Sequence, residues 1–269
     1  MLFVKFSQYL ERLEKTASRL EITGILSELF KETSKDEIKE VVYLSLGVLA
    51  PNYESILLNL AEKMIARAIS IAYNKDLEVV IKLYKETGDL GNVAEKLSTT
   101  KSSHLTVNEV FSKLLDIAKD SGEGSQDRKI DQMAGLLKSL DSLSVRFVAR
   151  IPVGKLRLGF SEKTIIDALA NHNKEVQTKI ESAYNIRPDI GYIAELVKMG
   201  KLDEALPEVG VPVVPMLPQR LNSTSEMIVK MGEVSVEPKF DGLRIFIHFK
   251  RKDNLVKIFT RNMNAIDIN

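Results

Sequence analysis

Two hydrophobic periods follow one another along this chain, and their order limits what it can fold into. From Met1 to about Leu206 apolar residues recur every three or four positions. Phe6, Leu10, Leu13, Ala17 and Leu20 make one such series, and Ile38, Val41, Val42 and Leu46 another. A repeat near 3.6 residues lines one face of an α-helix. No convincing alternation precedes Val209, so the spacing predicts a large all-helical domain. Ser34 with Glu37, and Thr106 with Glu109, have the spacing of capping boxes at two helix starts. Pro51, Gly88, Gly91, Gly122 and Gly124 punctuate the helices, and the lack of a fixed-period repeat argues against a solenoid.

Beyond Leu206 the pattern changes. Pro207, Gly210, Pro212, Pro215 and Pro218 stop helix formation and predict an extended, stiff connector, protease-sensitive from Pro207 to Pro218 because few internal hydrogen bonds hold it. A boundary near Val209 divides the chain into residues 1–208 and 209–269. Met227 to Met231 reads as a helix end before Gly232. Val236 to His248 then reads as a turn, with Gly242 at a tight corner, feeding a buried strand in the segment that carries Lys239, with Pro238 at a strand edge or irregularity and Leu243, Ile245, Ile247 and Phe249 alternating onto one buried face. A second strand holding Ile258 and Arg261 should return through a turn at Lys252 to Asn254. The fold expected is mostly α, a large helical domain followed by the first strands of a second domain.

A length of 269 residues suffices for more than one domain, and a net charge of +1 gives no global sign of a nucleic-acid partner, so any such site must come from local clustering. The absence of cysteine excludes disulfides, thiolate metal sites and cysteine catalysis, and a cytoplasmic protein is the simplest reading. His104, His172 and His248 are too far apart in sequence to suggest a histidine metal cluster, and no metal ligand is assigned. No apolar run approaches the roughly 18 residues of a membrane span. Leu2 to Phe6 is too short, and too soon interrupted by Lys5, for a signal peptide.

Three loops of the helical region carry more than packing. Gly88-Asp89-Leu90-Gly91, leading into Asn92 to Glu95, reads first as an interhelical corner. In Ser121 to Lys129 the glycines free the backbone, Ser125 is placed to cap the following helix, and Arg128 and Lys129 add charge. A phosphate contact and a solvated loop fit those residues equally well. Arg150 to Lys163 is the strongest of the three. Arg150, Lys155, Arg157 and Lys163 face only Glu162 in sequence, Gly154 and Gly159 let backbone approach a partner, and Ser161 is placed to cap the helix containing Ile165, Ile166 and Leu169. Cations, amides and a helix N-terminus together suit a phosphodiester backbone, and the lack of interleaved aromatics argues against single-strand stacking.

Further on, Glu237, Lys239, Asp241, Gly242 and Arg244 crowd into eight residues. A lysine attacks only when neutral, and neighbouring cations such as Arg244 and Arg261 lower its pKa from about 10.4. A surface hairpin with a Lys-Asp pair fits the same spacing.

Lys239-Phe240-Asp241-Gly242-Leu243-Arg244 resembles the KxDGxR motif of the covalent nucleotidyltransferases, which include ATP-dependent DNA ligases, NAD-dependent ligases, RNA ligases and mRNA capping enzymes. The runs Gly88 to Gly91, Ser121 to Lys129, Gly154-Lys155-Leu156-Arg157-Leu158-Gly159 and Ala183-Tyr184-Asn185 with Asp189-Ile190-Gly191 resemble, in that order, the helical DNA-binding domain of archaeal-type ATP-dependent DNA ligases. Pro212 to Leu217 is similar to the segment joining that domain to the adenylation domain. The resemblance spans Gly88 to Arg261, with the earlier residues matching only in helical character.

The resemblance implies Lys239 as the nucleophile taking AMP from ATP, Glu237 as the residue recognising the adenine amino group, and Arg244 and Arg261 as contacts to ribose and phosphates. DNA contacts are expected at Ser125, Arg128, Lys155, Arg157 and Lys163. It further implies magnesium, a nicked duplex as substrate, no membrane, a monomer, a sliding clamp as a partner, and roles in replication, repair and recombination. The family's downstream carboxylates, later lysine motif and OB-fold are not found before Asn269. The chain is thus expected to be the N-terminal portion of a ligase, binding DNA but not adenylating itself. The alternatives are a non-catalytic duplex-binding module and, least favoured, a helical scaffold with an accidental motif.

Overall fold

A computed structural model describes every residue except Arg157, Lys239, Ile268 and Asn269. The helical region runs as α1 (Phe3–Glu14), α2 (Arg19–Glu32), α3 (Ile38–Leu46), α4 (Glu62–Tyr73), α5 (Leu77–Thr87), α6 (Leu90–Leu97), α7 (Val107–Lys119), α8 (Ser125–Ser139), α9 (Ser142–Arg150), α10 (Glu162–Ala170), α11 (Lys174–Ile186) and α12 (Ile190–Met199). Helix α9 is central: Phe147, Val148 and Ala149 are buried, and it packs on both α6 and α1. Around it α4 lies on α8, α3 on α12 and α2 on α10. Phe3, Phe6, Leu10 and Leu13, from the apolar stripe of α1, are fully buried in the same core.

Side chains that accept from orphan amides fix most helix starts. Asp89, Asp141, Asn173 and Asp189 do so at α6, α9, α11 and α12. Thr106 and Glu109 form the expected capping box on α7. Such caps each stabilise by about 1 kcal/mol. Two expectations fail here. Ser34 and Glu37 form no box: α3 starts at Ile38, and the Glu37 carboxylate turns to the Met1 amino group while accepting from Ser34 Oγ at 2.9 Å. The series from Phe6 to Leu20 is also not one helix. Ser18 caps a new helix at Arg19, and Leu20 is left 78% exposed.

The Asp-Leu-Gly and Asp-Ile-Gly runs use one packing device twice. In each the aspartate caps the helix and the glycine admits a neighbour. A Cβ at Gly91 would stand 2.3 Å from the Arg146 carbonyl oxygen, and one at Gly191 2.6 Å from the Tyr43 ring. Tyr43 in turn donates to Asp189 at 2.6 Å. The first corner is therefore interhelical, as its sequence suggests.

After the helical region come α13 (Thr224–Met231), ended by Gly232 as expected, and a small antiparallel sheet of β1 (Ile245–Lys250), β2 (Leu255–Thr260) and β3 (Ala265–Ile266). The turn falls where expected, with Asn254 left-handed at φ 48°. Two details differ. Strand β1 begins only at Ile245, so Glu237 and Pro238 lie outside any strand. The buried face is also the opposite one: Leu243, Ile245, Ile247 and Phe249 are exposed, whereas Phe259 is fully buried beside half-buried Phe246 and His248. Alternation decides which residues share a face, and what packs on the sheet decides which face is covered. Here the connector covers it, with Gly210 against Leu255 and Lys257.

The connector is tethered in its first half only. Ala205 is buried, Glu208 pairs with Arg187 at 2.7 Å, and the Val214 N–H donates to the Asn185 carbonyl at 2.9 Å. Past Val214, Met216 is 90% exposed, and no backbone hydrogen bond involves residues 215–221 among the described residues. Trypsin should therefore cut first after Arg220, leaving a stable helical fragment, and a protease of broad specificity such as proteinase K should also cut past Val214 before the tethered bonds from Pro207 to Val214. First cleavage between Ile130 and Leu143, read by mass spectrometry, would show that the helical unit is not the stable one.

Candidate nucleic-acid and nucleotide sites

The stretch from Arg150 to Lys163 splits into parts with different fates. Arg150 closes α9 and is only 4% exposed. Its Nε meets Asp89 at 3.0 Å, one terminal nitrogen meets Glu14 at 2.8 Å and the other Asn92 at 3.0 Å. This corrects its reading as an outward cation. The partners stand 136 and 61 residues away, so local sequence could not show them. Lys155 is likewise not unopposed, since its ammonium pairs with Glu62 and lies 3.3 Å from the Tyr84 hydroxyl. Leu156 and Leu158 are buried and pin the loop, Leu156 against Gly47. Gly154 and Gly159 face open space, so their backbone is approachable. Ser161 holds the N-cap position of α10 but does not cap it as expected, since its side chain accepts no hydrogen bond from the first-turn amides. Lys163, in the first turn, is exposed and unpaired among the described residues. Arg157 lies outside the described residues.

The loop before α8 is built by Arg128. Its guanidinium grips Asp120 at 2.6 and 3.1 Å and donates to the carbonyls of Glu123 and Ser121. The hydrogen bond and charge of Arg128 hold the Asp120 carboxyl below its ordinary range. Lys129, expected to add surface charge, is buried with Nζ on the carbonyls of Leu58 and Ala118 at 3.1 and 3.4 Å. Ser125 does not cap: Gly124 occupies that position at φ 72°, and Ser125 is the first helical residue. Gly124 at the cap leaves the first amides of α8 without a side-chain acceptor.

At the nucleotide motif, Glu237, Asp241, Arg244 and Arg261 are all exposed. Lys239 lies outside the described residues. The hairpin register ends at the Ile245–Thr260 pair, so Arg244 and Arg261 flank that last rung, just outside the strands at one end of the sheet. Sequence reasoning placed these two cations together on the assumption of that hairpin. A cavity of about 810 Å³ lies elsewhere, lined by the irregular segment around Leu49 to Leu60, Pro152, Gly154 and Asn264. No group of three or more histidine, aspartate or glutamate side chains could hold a metal ion among the described residues. No helix among them is long and apolar enough to cross a membrane.

Comparison with known families gives two matches in chain order: DNA ligase N terminus over residues 2–170, and ATP dependent DNA ligase domain over residues 215–267. The chain belongs to the ATP-dependent DNA ligase family. The first match includes the eighty or so residues that had resembled the family only in helical character. Similar proteins include a probable DNA ligase of Dictyoglomus turgidum, 42% identical over 98% of this chain and 46% of its own length. DNA ligase 2 of Thermofilum pendens is 40% identical over 97% and 46%, and a DNA ligase of Sulfolobus acidocaldarius 39% over 99% and 48%. The chain thus spans about half the length of these relatives. Within this ligase-family chain the Lys239 motif falls in the second matched region and the loop from Gly154 to Gly159 in the first.

Proposed function

We propose that this chain forms the DNA-binding region and the nucleotide-motif hairpin of an ATP-dependent DNA ligase that seals nicks in duplex DNA. The observation that carries this reading is the KxDGxR motif inside the matched ligase domain, following the matched N-terminal domain. The residue 1–208 and 209–269 division is proposed on the same grounds, with Glu208 to Val214 still held to the helical body and the untethered segment beginning after Val214.

In this reading the neutral Lys239 amine attacks the α-phosphorus of ATP. A P–N bond forms, the bond to the β-phosphate bridging oxygen breaks, pyrophosphate leaves and the amine gives up a proton. Glu237 accepts from the adenine amino group, and Arg244 and Arg261, just beyond the last paired rung of the hairpin, offer two cations to ribose and phosphate. AMP then passes to the 5′-phosphate of a nick, and the 3′-hydroxyl displaces it. Positioning and charge supply most of such catalysis. Glu237 and Asp241 make no metal cage, so magnesium would come with the nucleotide phosphates. The protein acts as a monomer in the cytoplasm, in replication, repair and recombination.

Duplex contact is assigned to Lys163, the backbone at Gly154 and Gly159, and the amides around Ser125, with Lys155 and Arg128 contributing charge from fixed positions. These contacts reach phosphates, so base specificity should be low. Replacing Lys163 by alanine should weaken binding to all duplex sequences alike and flatten the salt dependence by about one log unit per lost contact. Lys155→Ala should act similarly while also lowering stability, because Glu62 loses its partner. Unchanged affinity and salt slope in Lys163→Ala, measured by fluorescence anisotropy, would remove the assignment.

A further inference from the structure

The connector and the hairpin meet through a polar contact outside the nucleotide motif. The N–H of Gly210 donates to Nδ1 of His248 at 2.9 Å. An imidazole nitrogen accepts only while unprotonated, so the contact needs neutral His248 with its proton on Nε2. The surroundings favour that state. His248 is half-buried in the middle of β1, its ring edge-on to buried Phe259 with centroids 5.1 Å apart. Lys257 stands directly opposite on β2, on the same face. Partial burial first, and the Lys257 ammonium second, hold the imidazole below its ordinary range.

The other charged groups nearby do not offset this. Lys250, on the same face of β1, pairs with Asp253, and Glu208 on the connector is engaged by Arg187. Gly210 is itself fitted to the contact. Its φ is +100°, a conformation that side chains rarely adopt, and a Cβ would already touch Leu255 and Lys257 at 3.5 and 3.6 Å.

We propose that His248 is a pH-operated clasp between connector and hairpin, closed while the imidazole is neutral and released when Nδ1 takes a proton. Because Glu208 and Val214 tie the same connector to the helical body, the clasp positions the hairpin next to the Lys239 motif relative to that body. His248 is a positioning residue in this scheme. A histidine with a depressed pKa in the closed form contributes closure that is complete above the free value of about 6.5 and is lost as pH falls below it.

The test is nitrogen-15 NMR of the 269-residue chain from pH 8 to pH 5, with His104 and His172 as internal comparisons. His248 should show the Nε2–H tautomer at pH 8 and titrate below about 6.5. Over the same titration, protection of the Gly210 amide, corrected for intrinsic exchange, should fall by about tenfold or more. His248→Phe keeps a ring against Phe259 without the acceptor, so Gly210 should be unprotected at both pH values. His248→Gln, whose amide oxygen accepts at any pH, should keep protection throughout. Gly210 protection that ignores pH in the wild type, or pH-dependent release that survives in His248→Phe, overturns the proposal. Should His248→Phe fail to fold, the wild-type titration and His248→Gln still decide.

Discussion

Arg150→Ala should unfold at much lower urea than the wild type, losing about 3–5 kcal/mol, and should do so without acting through DNA. The guanidinium is buried among Asp89, Glu14 and Asn92, at the junction of α9, α6 and α1. Removing it leaves the nearly buried Asp89 carboxylate with only its cap hydrogen bonds to Gly91 and Asn92. Burial pushes that carboxyl up, but the hydrogen bond and charge of Arg150, with the amides of Asn92 and Gly91, outweigh it and leave it below the usual carboxylate range. In the wild type, then, ionised Asp89 contributes stability that is present above the ordinary pKa near 3.9 and lost as pH falls through its depressed value. Without Arg150 the burial effect is opposed only by the amides of Asn92 and Gly91, so Asp89 is protonated more readily than in the wild type. The gap between variant and wild type should accordingly narrow in acid. Adding Asp89→Asn should recover part of the loss, because an amide needs no counter-charge. Had Arg150 been a phosphate ligand, the substitution would instead spare stability and reduce the salt slope of duplex binding.

The second large effect concerns covalent AMP. A polypeptide of the relatives' length carrying this chain should take label from α-labelled ATP and magnesium, and Lys239→Ala should abolish the label on a denaturing gel. The 269-residue chain by itself should stay unlabelled. Glu237, Arg244 and Arg261 are exposed, and a nucleotide needs walls that desolvate and orient it, commonly a pocket of about 300 Å³ or more. The 810 Å³ cavity does not substitute, since none of Glu237, Asp241, Gly242, Arg244 and Arg261 lines it. Label on the isolated chain would refute the incompleteness of its nucleotide pocket, and label persisting in long-form Lys239→Ala would refute the nucleophile.

Local pattern alone determined a good deal of this protein. The 3.6-residue repeat determined that the region up to Met199 is built of helices, the Thr106 and Glu109 spacing located a cap, and the prolines after Leu206 ended the helices. The hairpin turn at Asn254 and the KxDGxR motif were also legible, because each is a property of a few consecutive residues. Tertiary structure decided which charges are available. Arg150, Arg128, Lys129 and Lys155 read alike as basic residues in glycine-containing loops, yet they become a core ion pair, a loop clamp, a buried donor to carbonyls and a half-exposed pair with Glu62. A cation's role depends on what lies within a few ångströms, and those neighbours come from helices distant in sequence. The same reason explains the reversed hairpin face: alternation grouped Ile245, Ile247 and Phe249 correctly, but only the path of the connector over His248, Leu255 and Lys257 settled which side is covered.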